Sequence, residues 1–160
     1  MKNHNRSYFS LTINDLKKLK KIALKEHEEF FKRNPHLKSA YYNSLIGICL
    51  CQGTASHYLN PSVGIKDFDI WFFYVKDDSI YFPYRERKRI KIGYKGKPID
   101  FLKRAIPKNI YDSNFDNTEQ IIMNYLLKRD TTTKKLLLKK AIISLYPNRI
   151  FGKEFWRGKL

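Results

Sequence analysis

Cysteine is scarce in this 160-residue chain, which carries only Cys49 and Cys51. Two thiols cannot build a disulfide framework, so the sequence fits a reducing compartment. They stand two apart, on one face of any strand. A structural zinc site needs four ligands, and with no second cysteine pair the nearby His57 does not complete one. Long apolar runs are also missing. Nothing approaches the roughly 18 residues of a membrane span, and the Met1 end is too polar for a secretory signal, so a cytoplasmic protein with no membrane partner is expected. Acids are few, 15 against 32 lysines and arginines, which leaves a formal net charge of +17. That excess favours a polyanionic substrate or partner. There is no internal repeat and no low-complexity linker.

What is present suits one domain over 1–160, with an expected core at 36–110, an N-terminal helix in 1–35 and helices plus an aromatic tail in 111–160. From Thr12, the residues Leu16, Leu19, Ala23 and Phe30 recur at helical spacing. Thr12 with Asp15 caps that helix, and Asn34-Pro35 ends it. Leu45 to Cys51 is an apolar run of strand length, read as a strand covered on both faces. Gly53 ends it, and Thr54 to Leu59 reads as a short helix stopped by Asn60-Pro61. Asp67 to Val75 reads as a second strand, with Asp67, Asp69, Trp71 and Phe73 on one face. After the Gly96-Lys97-Pro98 turn, Ile99 to Ile106 reads as a third strand on which Asp100 and Arg104 share a face. Glu119 to Leu127 and Thr133 to Leu145 show helix-like spacing and predict two closing helices. The tail Phe151 to Trp156 is expected to pack back on the body.

Two carboxylates on one strand face repel by about 1 kcal/mol in water and by several times that when partly buried. A divalent cation reverses that sign, and hard oxygen ligands suit Mg²⁺ or Mn²⁺ bound to substrate phosphates. A third acid, Asp100, completes a metal site or serves as the base for an attacking hydroxyl. Gly53 and Thr54 sit at a helix start, where unpaired N–H groups and the positive dipole end favour anions. Ser56 and His57 are candidates for the same ligand. Arg85, Arg87, Lys88, Arg89, Lys103 and Arg104 are candidate polyanion contacts, with Tyr81, Phe82 and Tyr84 interleaved.

The segments Gln52-Gly53-Thr54-Ala55-Ser56, Asp67-Phe68-Asp69-Ile70 and Ile99-Asp100-Phe101-Leu102 together resemble the DNA polymerase beta-like nucleotidyltransferase superfamily. The signature is an apolar strand, Gly with a small hydroxyl residue, Asp-x-Asp after a gap of about ten, and a later acid between apolar residues. The resemblance covers roughly 45 to 104, with Thr54 where serine is common. It implies an α+β fold with a small mixed sheet flanked by helices, an NTP substrate and two Mg²⁺. Asp67 and Asp69 would hold the metals. Asp100 would ligate the catalytic metal and help activate the acceptor, and Gly53 with Thr54 would grip the triphosphate. The reaction implied is attack of an acceptor hydroxyl, on RNA, a protein or a small molecule, at the α-phosphate. Two rivals stand beside it: a basic nucleic-acid-binding module without catalysis, and a nuclease. The nuclease is disfavoured because Lys103 follows Asp100 by three positions, whereas the common nuclease core spaces acid and lysine by two.

Overall fold

Helix α1 (Ile13–Arg33) begins where the sequence places its cap. The Thr12 hydroxyl accepts from the Asp15 N–H at 3.2 Å, and the Asp15 carboxylate accepts from the Thr12 N–H at 2.8 Å. The two residues thus satisfy end groups that the helix itself leaves open. Asn34 closes the other end, its N–H donating to the Phe30 carbonyl just before Pro35. The computed structural model describes residues 6–109 and 117–158. The expected core boundary at 110 and the Met1 end lie outside the described residues.

The remaining elements are α2 (Lys38–Tyr41), β1 (Leu45–Cys51), α3 (Gln52–Leu59), β2 (Phe68–Val75), β3 (Lys88–Tyr94) and β4 (Lys97–Ile106). They are followed by α4 (Thr118–Leu127), α5 (Thr132–Leu137), β5 (Ile142–Tyr146) and β6 (Glu154–Trp156). The strands form one six-stranded mixed sheet in the order β3-β4-β2-β1-β5-β6. β2 runs parallel to β4, and the other neighbouring pairs are antiparallel. The fold is therefore α+β, as expected.

Strand alternation divides the interior in two. Leu50, Phe68, Ile70, Phe72, Tyr74 and Phe101 pack with Leu16, Leu19, Ala23 and Phe30 of α1. Cys49, Cys51, Trp71, Phe73 and Ile142 pack on the opposite side with Ile121, Ile122 and Leu126 of α4 and with Leu137. Each fully buried Phe, Leu or Ile contributes about 1.5–3 kcal/mol, so both layers are needed to hold the sheet. Gly47 lets α4 come close to β1: a Cβ there would sit 2.8 Å from Thr118 Cγ2 and 3.2 Å from the Tyr146 carbonyl oxygen. The Thr118 hydroxyl uses that approach to donate to the Ile46 carbonyl at 3.2 Å.

Of the two expected closing helices, the first is α4 and the second departs from expectation. α5 stops at Leu137, and Ile142–Tyr146 is a buried strand beside β1. A fully covered strand has no alternation, so Leu136 to Leu145 fits a helical template equally well. The aromatic tail does pack back, as β6 on β5, with the Trp156 indole N–H donating to the Leu138 carbonyl at 2.7 Å. The sheet thus draws strands from both the expected core and the stretch beyond it. Among the described residues, no helix is long and apolar enough to cross a membrane.

Candidate metal and phosphate site

Parallel pairing of β2 with β4 sets Asp69 opposite Asp100, while antiparallel pairing of β1 with β2 sets Cys51 opposite Asp69. Three central strands therefore come into step at one level, and α3 starts at the residue after Cys51. Asp67 lies just before β2 on the parity of Asp69. One carboxylate oxygen from each of Asp67, Asp69 and Asp100 lies within 4.8 Å of the others. The three acids picked out from the sequence are thus brought together.

Their environments differ. Asp100 is 1 % exposed, and its Oδ1 is buried with no hydrogen-bond partner. Its Oδ2 accepts from Arg89 Nη1 at 2.6 Å and from Arg87 Nη2 at 3.1 Å. Arg89 Nη1 also lies 3.7 Å from Asp67 Oδ2. Burial, reinforced by the charges of Asp67 and Asp100 and opposed by Arg87 and Arg89, pushes the Asp69 carboxyl up to about 7. Like charges near 5 Å repel by about 3 kcal/mol at an effective dielectric constant of 20, so the cluster is costly unless positive charge stands beside it. A buried carboxylate oxygen without a donor, among three hard oxygen ligands, fits Mg²⁺ or Mn²⁺.

The phosphate end is built differently from expectation. Thr54 is 1 % exposed, and its hydroxyl donates to the Asp67 carbonyl, so it ties α3 to the start of β2 and is not a free phosphate donor. Ser56 accepts from the Ala141 N–H at 3.2 Å. His57 is sealed from solvent: Nδ1 accepts from the Gly64 N–H at 2.9 Å, so Nε2 carries the proton and donates to the Phe9 carbonyl at 2.7 Å. These bonds correct the ligand roles expected of Ser56 and His57, which here brace α3. Gly53 keeps its open face. A Cβ there would meet only Lys140 Nζ, at 3.9 Å. The left-handed turn into the helix falls on Gln52, at φ 63°.

A cleft of about 500 Å³ opens beside Asp69, lined by Gln52, Trp71, Tyr84, Leu102, Arg85, Glu86, Arg87 and Arg104 and closed by Thr133 and Leu136. Arg104 stacks over Trp71 at 4.9 Å and donates to the Lys103 carbonyl at 2.7 Å. Of the six candidate basic contacts, Arg85, Arg87, Arg89 and Arg104 gather at the cleft or the acids. Lys103 does not. It is 1 % exposed on the opposite face of β4, where it donates to Glu26 at 2.7 Å. Lys88 likewise lines a separate groove with Ile22, Lys25 and Glu26. Phe82 is buried in the α1 core, whereas Tyr81 is 72 % exposed and Tyr84 faces the cleft.

Cys49 and Cys51 are fully buried, and burial pushes both thiols well above their ordinary range. They act as core residues. Sequence reasoning missed Gln52, Lys140 and the α5 contribution as parts of the site. Trp71 was legible in principle, because it shares strand parity with Asp69. No signal pointed to Lys140, which reaches Gly53 only through the placement of β5. No protein-family model, curated protein or solved structure gives a significant match to the chain.

Proposed function

We propose that this protein is a metal-dependent nucleotidyltransferase that moves an NMP from an NTP to an acceptor hydroxyl. The observation that carries the reading is the buried, unpartnered Oδ1 of Asp100 beside Asp67 and Asp69. Asp67, Asp69 and Asp100 would hold Mg²⁺ or Mn²⁺. When bound, the cation neutralises the carboxylates and withdraws charge from the phosphates.

The chain's own residues supply the rest. Arg85, Arg87 and Arg104 line the cleft next to Asp69 and match the negative charge of a triphosphate. Lys140 and the first-turn N–H groups at Gly53 add a second anion-binding surface. Tyr84 provides an aromatic face and Trp71, Leu102 and Leu136 further apolar surface for a base. The acceptor oxygen bonds to the α-phosphorus as the bond to the β-phosphate oxygen breaks. Pyrophosphate leaves with that electron pair, and the hydroxyl proton passes to the Asp100 carboxylate. The net charge of +17 supports an RNA or another polyanion as acceptor, with a protein hydroxyl as the other class. The two unpaired buried thiols suit a cytoplasmic setting.

The test is label transfer. The protein is incubated with Mg²⁺, each α-labelled NTP, and cellular RNA or protein, beside Asp69→Asn and Asp100→Asn. Transfer by wild type and loss of at least a hundredfold in both variants is expected. RNA binding indifferent to both substitutions, with no label moved, would instead identify a non-catalytic nucleic-acid-binding protein.

A further inference from the structure

Two arginines already meet part of the charge of the aspartate triad. Arg89 Nη1 lies 2.6 Å from Asp100 Oδ2 and 3.7 Å from Asp67 Oδ2, so one guanidinium spans two of the three acids. Arg87 reaches the same Asp100 oxygen at 3.1 Å. Bridging two carboxylates is also what a divalent cation does. We propose that Arg87 and Arg89 are a displaceable counter-ion pair, which a divalent cation replaces at the carboxylates and which then binds the phosphates arriving with it.

This inference rests on the metal reading of the triad and adds a coupling to it. Exposure is the first support. The Arg87 and Arg89 side chains are 60 % and 45 % exposed, against 2 % for Asp100, and β3 is the terminal strand of the sheet. A residue that fixes a ligand's orientation is normally locked by its own packing, whereas these two side chains are held chiefly by the carboxylates. Destination is the second. Arg87 already lines the cleft with Arg85 and Arg104, so its guanidinium needs no backbone movement to face a phosphate there. The residue before Arg87 is anchored independently of the carboxylates. Glu86 accepts from Arg33 at 2.7 Å and from Asn34 at 2.8 Å, which ties the segment to the end of α1.

Charge balance is the third. Three carboxylates facing two guanidiniums leave at most one negative charge, too little to hold a divalent cation and both arginines tightly together. Once an incoming polyphosphate takes the guanidiniums, the full triad is open to the cation. The cation, by occupying the carboxylates, frees the guanidiniums in turn. The two ligands therefore favour each other by the same factor, as linkage requires.

The test measures Mn²⁺ binding by electron paramagnetic resonance, with no nucleotide, on wild type, Arg87→Gln, Arg89→Gln and the double variant. Lys91→Gln, which removes an exposed charge further along β3, controls for general electrostatics. Arg89→Gln is expected to bind Mn²⁺ roughly three- to tenfold more tightly than wild type, the double variant more tightly still, and Lys91→Gln like wild type. A companion titration in EDTA uses inorganic tripolyphosphate. Asp100→Asn, which weakens the hold on the guanidiniums, should bind it several-fold more tightly than wild type, and adding Arg89→Gln should remove the gain. Unchanged or weaker Mn²⁺ binding by Arg89→Gln overturns the exchange and makes Arg89 a positioning residue, while leaving the metal site standing. If neither wild type nor any arginine variant binds Mn²⁺, the exchange and the metal site fall together.

Discussion

Lys103 and Glu26 meet 2.7 Å apart inside the α1 layer, with side chains 1 % and 5 % exposed. The ammonium also lies over the Phe30 ring at 4.7 Å and the Phe72 ring at 5.1 Å, while Arg33 caps the same carboxylate at 2.6 Å. Deleting Lys103 leaves the buried Glu26 charge to the partly exposed Arg33 and opens a gap beside the Phe30 and Phe72 rings. Lys103→Ala is expected to lower unfolding stability in urea by about 3 kcal/mol. The double change Glu26→Gln with Lys103→Met should recover much of that loss. Polyanion affinity should be unaffected by the double variant, since Lys103 is not at the surface.

Ser56 and His57 make a contrasting pair of variants. Ser56→Ala leaves the buried Ala141 N–H without its acceptor and should cost about 1–3 kcal/mol. His57→Phe loses bonds to both Phe9 and Gly64 and should cost at least as much. In each folded variant, calorimetry with a Mg²⁺–nucleotide complex should give wild-type affinity. A selective loss of nucleotide binding at unchanged stability would return these residues to the site.

Asp15 gives a prediction in acid. Burial acts to raise its carboxyl, but hydrogen bonds from Tyr94, Thr12 and Lys95 outweigh it and hold the group down at about 2. Such a group stabilises the fold at pH values above its unfolded value near 4, and that contribution is lost as pH falls through about 2. Asp15→Asn should therefore cost about 1 kcal/mol at pH 7, from the capping box and the Tyr94 bond, and the gap should close as wild type loses that contribution between pH 4 and 2. Thermal melts of both proteins across that window give the comparison.

Asp69 runs in the opposite sense. Its carboxyl is raised to about 7, so its contribution is fully present below pH 4 and is lost as pH rises through 7. In EDTA at pH 8, Asp69→Asn should melt several degrees above wild type, and the gap should close toward pH 5. Mn²⁺ should raise the melting temperature of wild type and leave the variant nearly unchanged. A wild-type protein whose melting is flat from pH 5 to 8 would contradict the crowding of charge at the triad.

Much of the site could be read from residue parity. Asp67 and Asp69 share a parity whatever surrounds them, and Thr12 with Asp15 marks a helix start by local chemistry alone. The pairing of Asp69 with Asp100 was not legible, because it depends on a parallel register between strands separated by β3. Lys103 looked like a surface charge for the same reason: only the position of α1 supplies Glu26 as its partner. Ile142 to Leu145 looked helical because burial on both sides erases the alternation that distinguishes a strand. Ser56 and His57 sit in the expected segment, yet their partners, Ala141, Phe9 and Gly64, come from remote parts of the chain.

The β2–β4 ladder also bears on how the protein reaches its final state. Asp69 and Asp100 become neighbours only after the intervening chain has folded back and β4 has docked alongside β2, a non-local closure. Collapsed or fragmentary forms with α1 and β1 in place still lack the assembled triad. On the proposed metal reading, Mn²⁺ capture should therefore report the docked β2–β4 ladder and not mere collapse, so a bound Mn²⁺ signal would serve as a clock for assembly of the centre of the sheet.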